Sequence, residues 1–277
     1  MSEKGITGRV VAHFDAPTNR TRLSHLACVA PLKVAKPFPQ SDGSLHICLM
    51  DVSPGLLAGD HYDLQWRLET GAQVLITHQG FMRVHPSRDS PTSHEQSISI
   101  ASGALLEYEA APILLYRDAA LRAETKIEVE QGGILILSEI ICAGRTAHNE
   151  SFAFDSYRGH LQADYANELV AWNSTDLTPQ LHNLSARGAW DGNTHWGTTL
   201  IIAENANKAL QETLRAELRT IEAEYKTQPN DAITLRGGVG LSERHSITIS
   251  LLARRAYDIE QTAKRLRTHA RQLLTGC

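Results

Sequence analysis

The sequence has few cysteines, and none of them is spaced for a metal or redox site. Its four cysteines are scattered through the chain, at Cys28, Cys48, Cys142 and Cys277. No pair has the C-x-x-C spacing of zinc and dithiol sites. The thirteen histidines include no H-E-x-x-H motif and no cluster with cysteine. This pattern argues against a structural zinc site, and we expect the thiols to be free.

Strong charge of one sign and long apolar runs are also missing. The formal net charge is −4 at pH 7, so the chain has no basic footprint for nucleic acid. No run approaches the roughly 20 apolar residues that a membrane-spanning helix needs. The first residues, Met1 to Gly5, lack the apolar core of a secretory signal. We therefore predict a cytoplasmic protein with neither a nucleic-acid nor a membrane partner.

What the sequence does contain is one pattern that occurs three times, in residues 62–77, 94–108 and 122–138. Each copy has an alternating strand, a glycine turn and a second strand. In the first copy Leu64, Trp66 and Leu68 alternate with polar residues, which is the period-2 signature of a half-buried strand. We interpret each copy as a β-hairpin, whose tight turn favours glycine at positive φ.

The spacing of the three copies indicates how they assemble. The turn glycines Gly71, Gly103 and Gly132 are 32 and 29 residues apart (103 − 71 and 132 − 103). A repeat of this length is typical of stacked supersecondary units that share one core, as in a solenoid or a layered β array. Three unrelated hairpins in a β-sandwich are the alternative.

The periodicity changes after Ala203. Apolar residues at helical spacing predict an amphipathic helix over 205–226 and a second helix over 256–274. Between them we predict strands at 232–236 and 245–253, joined by the glycine loop 236–240. This loop lacks the Lys-Ser/Thr of a phosphate-binding loop.

The predicted fold class is therefore mainly β: a layered, helical-like array of many short strands with two α-helices in the C-terminal region. We divide the chain into a β-rich, repeat-like body over 1–203 and an α/β segment over 204–277, with the order helix-strand-strand-helix, packed on the same domain. In the body, Trp172, Trp190 and Trp196 are available for the core.

Two carboxylates are candidate functional residues. Glu139 lies in the apolar run 134–142, where an ionised carboxylate must find a partner or carry a raised pKa. A structural pair with Arg145 is the alternative to a functional role. Asp60 follows a turn in which Gly59 leaves the backbone free to approach a ligand closely. Turns of this composition are usually only turns.

Basic residues mark two candidate surfaces. Lys33 and Lys36 lie beside Phe38 and form either a binding edge or a solvated rim. The last predicted helix carries five basic residues, Lys264, Arg265, Arg267, His269 and Arg271. Such a helix is either packed and solvated or a partner-docking element.

Several segments, taken in order, resemble the urease accessory protein family UreD, called UreH in some systems. The segments are 31–38, 54–60, 68–80, 105–108 and 138–145, followed by Glu150 and Phe152. The chain departs from the family pattern at Ser53, Leu56, Pro39 and Asn149. These departures affect the roles of single residues more than they affect the resemblance.

The resemblance implies a non-enzymatic, all-β protein with two helices. Members of the family dock on urease apoprotein, on accessory protein F and on the GTPase G, so that nickel can pass into the urease active site. An internal acidic tunnel is the family's proposed nickel route, and the matching positions here are Asp60 and Glu139. Ni²⁺ would be carried transiently, with no permanently bound cofactor.

The resemblance also implies partner-binding positions. These are Lys33, Lys36, Arg145, Glu150 and Arg267, with the helix near Arg267 contacting protein F. A homodimer within the complex stays open.

Two other functions remain open at this point. One is a β-solenoid hydrolase that acts on carbohydrate or ester with Asp60 and Glu139 as its carboxylate pair, roughly 5 to 9.5 Å apart. The other is a β-rich interaction module with no metal role.

Overall fold

The computed structural model describes residues 7–227 and 234–276, and the strands in these ranges form two facing sheets. The first nine strands are β1 (Gly8–Asp15), β2 (Arg22–Val29), β3 (Leu32–Val34), β4 (Phe38–Pro39), β5 (Leu45–Asp51), β6 (His61–Leu68), β7 (Gln73–His78), β8 (Met82–Val84) and β9 (Thr92–Ile100). The others are β10 (Leu105–Glu109), β11 (Ile113–Leu115), β12 (Ala120–Val129), β13 (Ile134–Cys142), β14 (Ser156–Tyr165), β15 (Glu168–Leu177), β16 (His195–Ile202), β17 (Leu235–Leu241) and β18 (Ser246–Ala253).

The order of strands shows how the repeats stack. The first sheet has the order β15-β14-β12-β9-β6-β1-β2. The second has the order β17-β18-β16-β13-β10-β7-β5-β3, with β4, β8 and β11 attached at its side. Strands β6, β9 and β12 are parallel neighbours in the first sheet, and β7, β10 and β13 are parallel neighbours in the second. The mainly β, stacked architecture predicted from the 30-residue repeat is confirmed.

The hairpin interpretation of each repeat is wrong. The two strands of a repeat lie in different sheets, so the chain crosses the sandwich at each turn and does not fold back beside itself. The turn glycines have φ values of 75°, 70° and 81° at Gly71, Gly103 and Gly132, which is the left-handed conformation that glycine adopts readily. Alternation and a turn glycine are common to both arrangements, so the sequence pattern cannot distinguish a hairpin from an arch.

The main core lies between the two sheets. Phe14, Trp66 and Tyr108 are its largest buried side chains, each 0–1% exposed. Trp190 is also buried, and Trp196 packs partly buried against this core. Trp172 does not belong to the core, because it lies on β15, the terminal strand of the first sheet, and is 60% exposed.

The two helices cover the outer face of the second sheet. They are α1 (Lys208–Lys226) and α2 (Ala256–Thr275), and a short 3-10 helix spans Thr146–His148. Helix α1 begins three residues later than predicted, because the Asn207 side chain accepts hydrogen bonds from the N–H groups of Ala209 and Leu210, at 2.9 and 3.2 Å, and so caps the helix. The apolar faces of both helices build a second core against β13, β16 and β18.

The predicted glycine loop 236–240 is a strand. Gly237 and Gly238 lie in β17, which pairs antiparallel with β18. A Cβ atom on Gly237 would stand 2.6 Å from a methyl carbon of Leu251 and 3.1 Å from one of Leu218. Glycine is therefore used here for close packing of α1 on the strand, and not for a turn. Of the predicted strand 232–236, residues 232 and 233 lie outside the described ranges.

The second sheet contains strands from both sides of the predicted division between residues 203 and 204, because β18 pairs with β16 along its whole length. In the part of the chain that the structure describes, neither helix combines the length and the apolar character that crossing a membrane requires.

Candidate functional site

The two sheets do not fill the space between them at the level of Glu139. In the second sheet Glu139 pairs with Thr198 of β16, and Ala110 lies beside it through its N–H bond to the Ser138 carbonyl, at 2.9 Å. Across the sandwich, Ala123 and Gly159 are register partners in the first sheet. The small side chains of Ala110 and Ala123 leave an unfilled layer there, whereas the Tyr157 ring fills the space beside Gly159.

This layer holds two cavities that meet at Glu139. The first has a volume of about 50 Å³ and the second about 420 Å³. The first is lined by Asp51, Tyr62, His78, His94, Tyr108 and Glu139, among others. The second is lined by Glu139, Leu161, Trp172, Thr198 and Thr248, among others. Together they follow the stacking direction of the repeats, from the β5 and β6 side toward β15 and β18.

Among the described residues, no cationic side chain pairs with the Glu139 carboxylate. The predicted alternative, an ion pair with Arg145, does not form, because Arg145 pairs with Glu150 at 2.7 Å. Burial raises the pKa of the Glu139 carboxyl from 4.5 to about 7. Part of its surface is open to a water-sized molecule, and since Glu139 lines both cavities, that surface faces the interior space. A carboxylate held this way is available to a cation that enters the cavities.

The raised pKa of Glu139 predicts a pH dependence of stability. Its folded-state pKa lies above the ordinary value, so the stability that the protonated carboxyl contributes is complete below pH 4.5 and is lost as the pH rises to about 7. Glu139→Gln removes this titration. The free energy of unfolding of the native chain, minus that of the variant, should therefore fall by about 3 kcal/mol between about pH 4 and pH 8.

Urea unfolding at a series of pH values measures this difference. The matched control is Glu128→Gln on β12, which makes the same chemical change at an exposed side chain. Parallel curves for Glu139→Gln and the native chain would show that Glu139 has an ordinary pKa.

Two histidines, which the sequence reasoning did not identify, line the first cavity. His78 ends β7, and its Nε2 lies 3.0 Å from the Tyr108 hydroxyl. His94 lies on β9 in the opposite sheet. Burial lowers the pKa of His78 to about 3 and that of His94 to about 4, so both rings are neutral at pH 7. The sequence does carry a signal for His78. Every second residue of β7 faces inward, and His78 continues the inward-facing series of Val74 and Ile76.

The aspartate that lines the cavity is Asp51, and not the predicted Asp60. The Tyr62 hydroxyl donates to the Asp51 carboxylate at 3.0 Å. Asp60 accepts a hydrogen bond from the Leu57 N–H at 2.7 Å, which closes the turn before β6. Burial raises the pKa of the Tyr62 hydroxyl, and the nearby charges of Asp51 and Asp60 raise it further. Asp60 is thus close to the Tyr62 end of the first cavity without lining it.

The predicted partner-binding residues lie in three separate places. Lys33 and Lys36 are exposed at the β3 end of the second sheet. Arg145 makes a two-point contact with Glu150, both bonds 2.7 Å long, and lies over the Tyr116 ring. Arg145 and Glu150 therefore brace the loop that follows β13.

Arg267, a residue of α2, is buried. Its side chain is 7% exposed. It lies 2.7 Å from the Glu109 carboxylate and 3.4 Å from that of Glu107, while Arg271 contacts Glu107 at 3.0 Å. Burial raises the pKa of Glu107, and the charges of Arg267 and Arg271 oppose that rise. In this conformation Arg267 joins α2 to β10 and does not present its guanidinium at the surface.

The cavities contain no cluster of metal ligands among the described residues. Within residues 7–227 and 234–276, no three or more side chains of His, Cys, Asp or Glu gather closely enough to hold a metal ion. Cys142, which the sequence predicts to be a free thiol, is free and buried.

Comparison with known proteins agrees with the resemblance read from the motifs. The family model described as "UreD urease accessory protein" matches residues 7–277. The urease accessory protein UreD of Acetivibrio thermocellus is 25% identical over 264 residues, which is 95% of this chain and 97% of that protein. The urease accessory protein UreH of Helicobacter pylori is 30% identical over 172 residues, 62% of this chain and 65% of that protein.

A third relative, the urease accessory protein UreD of Lysinibacillus sphaericus, is 26% identical over 235 residues, 83% of this chain and 87% of that protein. Because the family model covers almost the whole chain, the protein belongs to the UreD family of urease accessory proteins.

Proposed function

We propose that this chain is a urease-maturation scaffold that passes Ni²⁺ through its interior, by way of Glu139, toward the urease active site. The observation that carries the proposal is the position of Glu139, which has no ion-pair partner in the described part of the chain and lines both cavities. One buried carboxylate at low ligand count holds Ni²⁺ weakly, and weak binding at several points suits a passage better than a store. Nickel is the cargo, and no cofactor is bound permanently.

The partners in this proposal are urease apoprotein, accessory protein F and the GTPase G, and the location is the cytoplasm. Of the predicted partner-binding residues, Lys33 and Lys36 are exposed at the β3 end of the second sheet, where their charges are accessible to a partner. Arg145 and Glu150 contribute by holding the loop after β13 in shape, since their charges already satisfy each other. A homodimer within the complex is compatible with this arrangement.

The hydrolase alternative receives less support from the geometry. A glycoside hydrolase needs two carboxylates that flank its substrate, yet Asp60 does not line the cavities that Glu139 lines. The smaller of those cavities, at about 50 Å³, is also too small for a sugar ring. We therefore propose a non-catalytic role.

Co-expression tests the proposed partners. The chain is produced with its host's urease subunits and accessory protein F, the mixture is separated by size-exclusion chromatography, and nickel is measured in the pooled complex. We expect the chain to co-elute with both partners and to raise the nickel content of urease above that of a co-expression lacking it. Elution of the chain as a separate species, with nickel in urease unaffected, would contradict the proposal and favour the hydrolase reading.

A further inference from the structure

We infer that His78 and His94 form a nitrogen-donor station, at which Ni²⁺ is bound transiently before it reaches Glu139. The inference rests on the proposed nickel passage and adds to it the ligand chemistry of the first cavity. A passage lined only by carboxylates would bind hard divalent cations as well as nickel, whereas imidazole nitrogen is a ligand that suits nickel.

The placement of the two rings supports the station. His78 comes from the end of β7 in the second sheet, and His94 comes from β9 in the first sheet. Both line the same cavity as Glu139, and the two histidines are close enough for their charges to interact. The small side chains of Ala110 and Ala123 line this cavity as well, so the space beside the rings stays open.

Each imidazole, when neutral, has one ring nitrogen with a lone pair to offer. Among the described residues, the His78 ring nitrogens make one hydrogen-bond contact, between Nε2 and the Tyr108 hydroxyl at 3.0 Å. In the tautomer whose Nε2–H donates to that hydroxyl, Nδ1 keeps the lone pair. Among the described residues, no hydrogen bond reaches the His94 ring. His94 is partly accessible and lines the cavity, so its ring is open to a ligand or to solvent there.

The number of donors fits transit better than storage. Two imidazoles from opposite sheets, with no third donor among the described residues close enough to complete a site, would hold Ni²⁺ together with water ligands. Glu139 then offers a carboxylate on the way to the second cavity. The station is therefore a point of selection for nickel within a passage whose carboxylates, Asp51 and Glu139, provide negative charge.

Nickel binding to the purified full-length chain tests the inference. Equilibrium dialysis with NiCl₂ measures affinity, and nickel X-ray absorption detects imidazole ligands directly. We expect an imidazole signal in the native chain, and we expect the double variant His78→Gln, His94→Gln to lose it and to bind nickel about tenfold more weakly. Glutamine keeps a hydrogen-bonding group at position 78. The matched control is His182→Gln, since His182 is exposed and should change neither reading.

The outcomes separate the station from the passage. Absence of an imidazole signal in the native chain, or its persistence in the folded double variant, would overturn the station. His94→Gln alone breaks no hydrogen bond with a described residue, so a weakened signal in this variant supports the station even if the double variant does not fold. Loss of the signal in the histidine variants, with unchanged urease nickel in Glu139→Gln, would support the station and reject Glu139 as the route.

Discussion

Replacing Glu139 with glutamine is expected to lower the nickel content of co-expressed urease about tenfold, an effect typical of a changed residue in or beside a metal site. Glutamine has nearly the same shape but cannot carry the negative charge that attracts Ni²⁺ at the junction of the two cavities. Because Glu139 is enclosed between the sheets, the variant should still bind urease and protein F. Nickel per urease active site and urease activity in the purified complex measure the effect.

The control for this experiment is Glu128→Gln. Glu128 lies on β12 of the first sheet, where its side chain is exposed to solvent, so Glu128→Gln makes the same chemical change without touching the cavities. Nickel content should then match that of the native chain. If Glu139→Gln also delivers nickel at the native level while the complex forms normally, the passage does not run by way of Glu139.

Replacing Arg267 with alanine is expected to lower the free energy of unfolding by about 3 kcal/mol. Removing one partner of a buried ion pair leaves an uncompensated charge and typically costs about 3–5 kcal/mol. Glu107 is 5% exposed and would lose one of its two arginines. Arg271 would still contact Glu107 at 3.0 Å, which places the expected loss at the low end of that range. Urea unfolding of the purified chain measures it.

Lys264→Ala on the exposed side of α2 is the control for Arg267→Ala, and it should leave stability almost unchanged. The comparison also decides between the two roles of Arg267. A variant that unfolds as the native chain does, yet no longer binds protein F, would contradict the structural role and restore the docking role that the family resemblance implies. A destabilised variant that binds protein F in proportion to its folded fraction supports the structural role.

The repeat was predictable because its signal is local. Each strand buries one face, so apolar residues alternate along it, and each turn places a glycine at positive φ. These features recur near every 30 residues and indicate stacked units. Leu64, Trp66 and Leu68 alternate in the same way in two arrangements. The second strand of the repeat can lie beside theirs in one sheet, or opposite theirs in the other sheet. The arch was therefore not predictable from periodicity.

The candidate site was predictable only in part. Glu139 could be identified because a carboxylate in an apolar run is a local anomaly. His78 and His94 are 16 positions apart in sequence (94 − 78) and come from different sheets, so nothing local joins them. The glycine-containing turn draws attention to Asp60, whereas the aspartate that lines the first cavity is Asp51.

The sequence by itself determined the mainly β class, the stacked repeat, the two helices and membership of the family, because each depends on periodicity or on motif order along the chain. Only the tertiary structure decided that the repeats are arches, that Arg145 pairs with Glu150, and that Arg267 is buried. It also decided that Glu139 opens onto two cavities. The physical reason is that pairing, burial and empty space depend on which distant strands are brought together. The alternation of apolar residues along one strand does not specify which strand lies next to it.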